Sequence, residues 1–75
     1  MSEPMKTFEL ALRKDEHVRR FEILVDAEGW RVVERADSTV VREARFSDWH
    51  RVERARRAFA VEMSTLRREG WLDAR

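Results

Sequence analysis

Apolar residues along this chain recur at two periods, every second position as far as Phe46 and every third or fourth position after it. A period of two belongs to a strand with one buried face, and a period near 3.6 belongs to an amphipathic helix. Residues 6–13 set Phe8, Leu10 and Leu12 against Thr7, Glu9 and Ala11 and predict a first strand. A second over 18–26 places Phe21, Ile23 and Val25 on one face, and a third over 30–36 sets Trp30 and Val32 against Arg31, Val33 and Arg35. A fourth over 40–46 turns Val40, Ala44 and Phe46 inward. Polar segments separate them: Lys14-Asp15-Glu16-His17, Asp26-Ala27-Glu28-Gly29 and Asp37-Ser38-Thr39. Gly29 is expected to supply the positive φ of a three- to five-residue hairpin.

From about residue 48 to 69 the pattern is helical. Val52, Ala55, Phe59, Met63 and Leu66 fall within about 80° of one another at 100° per residue, and form the stripe expected to cover the sheet. Ser47 is expected to cap the first turn, with Asp48 just inside it at the positive end of the helix dipole. Gly70 stands where a left-handed C′ residue belongs, which sets Trp71 at C″ against Leu66 at C3 in a Schellman ending. The fold these elements predict is α+β: a four-stranded antiparallel meander with one C-terminal helix on one face. It forms a single domain over residues 1–75, without repeats, linkers or low-complexity segments. Trp49, at the edge of the stripe, is expected to pack over the sheet rim.

At 75 residues the chain buries only about 60% of its unfolded surface, which predicts a thin stability margin. It has no cysteine, so disulfides are not available to compensate, and a cytoplasmic location is the natural expectation. The opening MSEPMKTFEL holds no apolar stretch of signal-peptide length. No later run approaches the roughly 18 apolar residues of a membrane span.

Charged residues make up 41% of the chain, but 16 basic and 15 acidic groups nearly cancel. Net charge therefore gives no support to strong steering toward an anionic partner. All but Lys6 and Lys14 of the basic residues are arginine, a bias spread along the whole chain. On the helix, His50, Arg54, Arg57 and Arg68 form a basic stripe interrupted by Val61. The expected state of that stripe is a solvated face trimmed by Glu53–Arg57 and Asp48–Arg51 pairs.

Candidate chemistry is sparse. His17 falls in a turn and His50 on an exposed helix flank, and neither spacing matches a metal-ligand pattern. No carboxylate pair stands out as acid and base, and no base lies beside Ser47. The expectation is a non-enzymatic protein without metal or cofactor.

The sheet face away from the helix carries Glu9, Ala11 and Arg13, then Arg20, Glu22 and Leu24, then Arg31, Val33 and Arg35, then Val41, Glu43 and Arg45. Charges there surround an apolar trio, Leu24, Val33 and Val41. A short chain gains by burying such a trio against a copy of itself, so this face is expected to form a homodimer or meet another protein partner. The alternative is DNA or RNA binding through Arg20, Arg31, Arg35 and Arg45 of the sheet or Arg54 and Arg57 of the helix. The face has no aromatic residue on which a single strand could stack.

A meander followed by Phe46-Ser47-Asp48, a long helix and Gly70-Trp71, with Phe21-Glu22-Ile23 in an earlier strand, resembles the WGR module in its order of elements. The outline is also similar to the sheet-plus-helix DNA-binding domains of the AP2 and integrase-arm type. The likeness spans residues 20–71. The tripeptide that names the WGR module is absent, Gly29-Trp30-Arg31 being in a different order. The AP2-like likeness implies nucleic-acid contact through the arginine-bearing sheet face, and the WGR-like one implies contact within a larger assembly.

Overall fold

A computed structural model describes residues 5–74. Four strands, β1 (Met5–Lys14), β2 (His17–Asp26), β3 (Gly29–Ala36) and β4 (Thr39–Phe46), precede the helix α1 (Trp49–Arg68), and a two-residue strand β5 (Leu72–Asp73) follows it. The sheet order is β4-β3-β2-β1-β5 with every pairing antiparallel, so the predicted α+β meander with one helix is the observed architecture. The sequence pattern misses β5, whose two residues are too few to show a period. It exists because the Schellman ending turns the chain back toward β1, where Ala74 N–H donates to the Ala11 carbonyl at 2.8 Å.

The three hairpins are tighter than the polar segments suggest. Lys14 pairs with His17, Asp26 with Gly29 and Ala36 with Thr39, which leaves two-residue loops at Asp15-Glu16, Ala27-Glu28 and Asp37-Ser38. Asp15 and Asp37 take the positive φ, +56° and +58°, as the first central residue of a primed hairpin turn requires. Gly29 has the expected positive φ but stands just past the loop, paired with Asp26. It opens β3 at φ +134°, and a Cβ there would stand 2.5 Å from the Phe46 carbonyl oxygen, so its lack of a side chain serves the close approach of β4. Asp37 also ties the outer ends of β2 and β3 together. Its carboxylate accepts from Val18 N–H at 2.9 Å and pairs with His17 Nδ1 at 3.1 Å. The Val18 N–H, then His17, hold the Asp37 carboxyl below its ordinary value.

Asp48, not Ser47, is the N-cap: its backbone is extended and its carboxylate accepts from His50 N–H at 2.9 Å. A carboxylate placed there satisfies an orphan amide and meets the helix dipole with a full charge, which a hydroxyl cannot do. The C-terminal reading holds in detail. Gly70 has φ +102°, its N–H donates to Arg67 O at 3.1 Å, and Trp71 N–H donates to Leu66 O at 3.0 Å. Lys14 Nζ adds a bond to Glu69 O at 2.7 Å, fastening the helix end to β1.

The core lies between α1 and one sheet face. Leu12, Phe21, Ile23 and Val32 meet Val52, Phe59, Met63 and Leu66, with Phe8, Leu10, Trp30, Phe46, Ala55 and Trp71 packed around them. Phe21 and Phe59 rings sit 4.9 Å apart and tilted. Trp49 does pack at the rim, its ring 5.6 Å from that of Trp30. One inward assignment fails. The β3–β4 register shifts after Glu34, so that Arg42 faces Glu34 but Val40 faces Arg35. This bulge leaves Val41 without a partner in the ladder and breaks the alternation that placed Val40 inward with Ala44 and Phe46.

Candidate functional site

Two surfaces carry the residues singled out from the sequence and a third carries a cluster that was not, and the three differ in how their charges are met. On the helix-free sheet face, Arg20 Nη1 lies 3.1 Å from Glu9, Arg31 Nε 3.3 Å from Glu43 and Arg45 Nη2 3.1 Å from Asp26. Arg35 pairs with Glu22, and Lys6 Nζ reaches both Glu9 and Glu22 at 2.9 Å. All four sheet arginines proposed for nucleic acid are thus already engaged by a carboxylate. The hydrogen bonds from Lys6 and Arg20 pull the Glu9 carboxyl below its ordinary value.

These pairs roof the sheet. Val33, the central residue of the expected apolar trio, is only 1% exposed, and Glu22 beside it is buried. Cross-strand pairing sets Val33 between Glu22 and Glu43, the two glutamates that hold Lys6, Arg35 and Arg31 on this face. Leu24 is half-buried, two residues along β2 from Glu22. Val41, at the bulge, is 54% exposed. The three residues do not form one open apolar patch.

On the opposite face a polar cluster stands beside the core that the sequence reading passed over. Arg19 pairs with Glu34 and lies 3.2 Å from Glu62 on the helix, and Arg42 Nε stands 3.7 Å from Glu34. Glu34 is 2% exposed. Burial first, and then the charge of Glu34 beside it, raise the Glu62 carboxyl above its ordinary value, against the pull of Arg19 and Arg42. The signal was present: Arg19 is in phase with Phe21 and Ile23, and Glu34 with Trp30 and Val32, so both belong to inward positions. Next to this cluster a cleft of about 200 Å³ runs between β4 and α1, lined by Val32, Ala44, Phe46, Ala55, Ala58 and Phe59 with Glu34 and Arg42 at its end.

The outer face of α1 is the third surface. Its six arginines outnumber Glu53 and Glu62, whereas the remainder of the chain holds ten basic and thirteen acidic residues. The near-zero net charge therefore conceals a basic helix against a slightly acidic remainder. Arg56 pairs with Glu53 at 3.5 Å and lies over the Phe8 ring, and Arg67 pairs with Asp73 at 2.9 Å. Arg51, Arg54, Arg57 and Arg68 have no carboxylate within 4.0 Å among the described residues. The expected trimming pairs are not formed, since Glu53 goes to Arg56 and Asp48 to the cap. Val61, 68% exposed, stands between Arg57 and Arg68.

Among the described residues no group of three or more His, Asp or Glu side chains is placed to hold a metal ion. No helix among them is long and apolar enough to cross a membrane. No family model, no curated protein and no solved structure matches this chain.

Proposed function

We propose that the chain is a small non-enzymatic interaction module that binds the phosphate backbone of double-stranded nucleic acid through the outer face of α1. The observation that supports this is the contrast between two sets of arginines: those proposed on the sheet are neutralised within the chain, while Arg51, Arg54, Arg57 and Arg68 are exposed and find no carboxylate partner among the described residues. An exposed guanidinium keeps its donors for a phosphate, and displacing a bound carboxylate first would offset the gain. The stripe has no aromatic side chain, and Trp49 at its start rests on Trp30, so backbone contact suits it better than base stacking. This reading moves the contact away from the sheet face that an AP2-like outline implies.

The test is a titration of labelled mixed-sequence duplex DNA at ~50 mM and ~200 mM salt. Wild type and Arg31→Gln/Arg45→Gln should bind alike, with affinity falling steeply as salt rises. Arg54→Glu/Arg57→Glu should lose binding. No binding at the lower salt ends the proposal, and binding of polyglutamate in place of duplex assigns the helix to an acidic protein partner.

A second reading, self-association through Leu24, Val33 and Val41, draws support from the exposure of Val41. Val33 is buried, so Val33→Glu would test folding more than contact. Val41→Glu is the informative variant: if sedimentation shows a wild-type dimer that Val41→Glu leaves intact, the helix-free face is not the interface.

A further inference from the structure

β4 is a terminal strand of the sheet, and among the described residues no other strand covers its outward backbone groups. The opposite edge is different, because β5 pairs with Leu12 and Arg13 of β1. The regular part of β4 is five residues long: Arg42 to Phe46 pair in unbroken register with Glu34 to Trp30, and the bulge at Val41 ends that register. An open regular edge is a template for another strand, and natural edges are usually protected by charges that no partner matches. Here the charges match the strand itself.

Consider two such segments antiparallel with Ala44 facing its own copy. Glu43 then stands opposite Arg45 of the second copy, and the two-fold axis repeats the pair, each side chain adding this contact to the one it keeps with Arg31 or Asp26 of its own chain, so that no existing pair need be displaced. Arg42 stands opposite Phe46 of the second copy, again twice, a guanidinium beside an aromatic ring. The faces agree as well, with Glu43 and Arg45 on the helix-free side and Arg42, Ala44 and Phe46 on the helix side. The smallest side chain sits on the axis, where like meets like. Neighbouring registers fail. Centring on Glu43 opposes two glutamates, and centring on Arg42 or Arg45 opposes two arginines. In the Ala44 register the cleft between β4 and α1, with Phe46 half-buried in its wall, opens beside the second copy.

We infer that β4 is the contact edge of a symmetric homodimer, two copies joining their sheets through Arg42–Phe46 with Ala44 on the two-fold axis. The α1 reading shares no residue with this edge, so either stands without the other.

Sedimentation equilibrium from about 1 μM to about 1 mM on wild type, Glu43→Arg, Arg45→Glu and an equimolar mixture of the two variants tests it. Both positions are exposed, and circular dichroism checks that each variant is folded. Wild type should dimerise with rising concentration. Each variant alone sets two like-charged pairs across the axis and should associate at least about tenfold more weakly. The mixture should recover association, because a mixed pair restores opposite charges at both sites. A wild type that stays monomeric throughout overturns the proposal without recourse to either variant. So does a single variant that associates like wild type, or a mixture no better than its components.

Discussion

The two faces of the sheet are both dry at the centre and reach that state by different means. On one, Phe21, Ile23 and Val32 are covered by Phe59, Met63 and Val52 of the helix. On the other no element among the described residues covers Val33, and yet it is as well hidden, on a face where Lys6, Arg31 and Arg35 are held by Glu9, Glu22 and Glu43. The charged ends of those side chains stay in water while their methylenes exclude it. An apolar residue on a helix-free face is therefore not by itself a vacancy for a partner, because in a chain this rich in arginine the face can cover itself.

The largest test of this comparison is truncation on each face. Phe59→Ala should cost about 3–5 kcal/mol, since it opens a cavity against Phe21 that a rigid helix and sheet cannot close. Val33→Ala should cost about 1.5–2.5 kcal/mol because the side chain is buried, while the exposed Val41→Ala should stay within about 0.5 kcal/mol. Urea denaturation of the three variants decides the order. A Val33→Ala variant as stable as wild type would mean that the charged roof does not exclude water.

The two glycines sharpen the contrast between packing and backbone strain. Gly29→Ala meets both a positive φ and the Phe46 carbonyl at 2.5 Å, whereas Gly70→Ala meets only the flexible Lys14 side chain at 3.7 Å. Gly70→Ala should cost about 1 kcal/mol, from strain in the left-handed conformation. Gly29→Ala should cost more than that, and β4 should loosen with it, which thermal melts and amide exchange at Phe46 would report.

The smallest effects are in the pH dependence, where Asp37 and Glu9 act in the opposite sense to Glu62. Asp37 and Glu9 have lowered carboxyl values in the folded chain, so their contribution is present above the ordinary carboxylate range and is lost as pH falls. Glu62 has a raised value, so the folded chain holds its proton longer, and stability declines as pH rises from the ordinary value through the folded one. Asp37→Asn should therefore flatten the acid side of a stability profile. Glu62→Gln should remove the opposing slope and leave the protein no less stable at neutral pH. A profile that Glu62→Gln leaves unchanged would show that the Arg19–Glu34–Glu62 cluster is more open to water than its burial implies.

Periodicity, caps and turn residues were enough to specify four strands, their antiparallel order, the helix, its buried stripe and its Gly70–Trp71 ending. Each of these depends on residues near one another in the chain, and local chemistry is written in sequence. The N-cap went to Asp48 over Ser47 because two adjacent residues could both serve and only the backbone path chooses between them. The bulge that turns Val40 away from the core, the pairing of Arg20, Arg31, Arg35 and Arg45 with carboxylates, and the absence of such partners for Arg54 and Arg57 among the described residues were decided by the tertiary structure. Register and side-chain reach bring together residues from different strands, and a strand's own pattern contains neither. Composition alone set the total charge near zero. Only the fold determined which of those charges are already satisfied within the chain and which stand free.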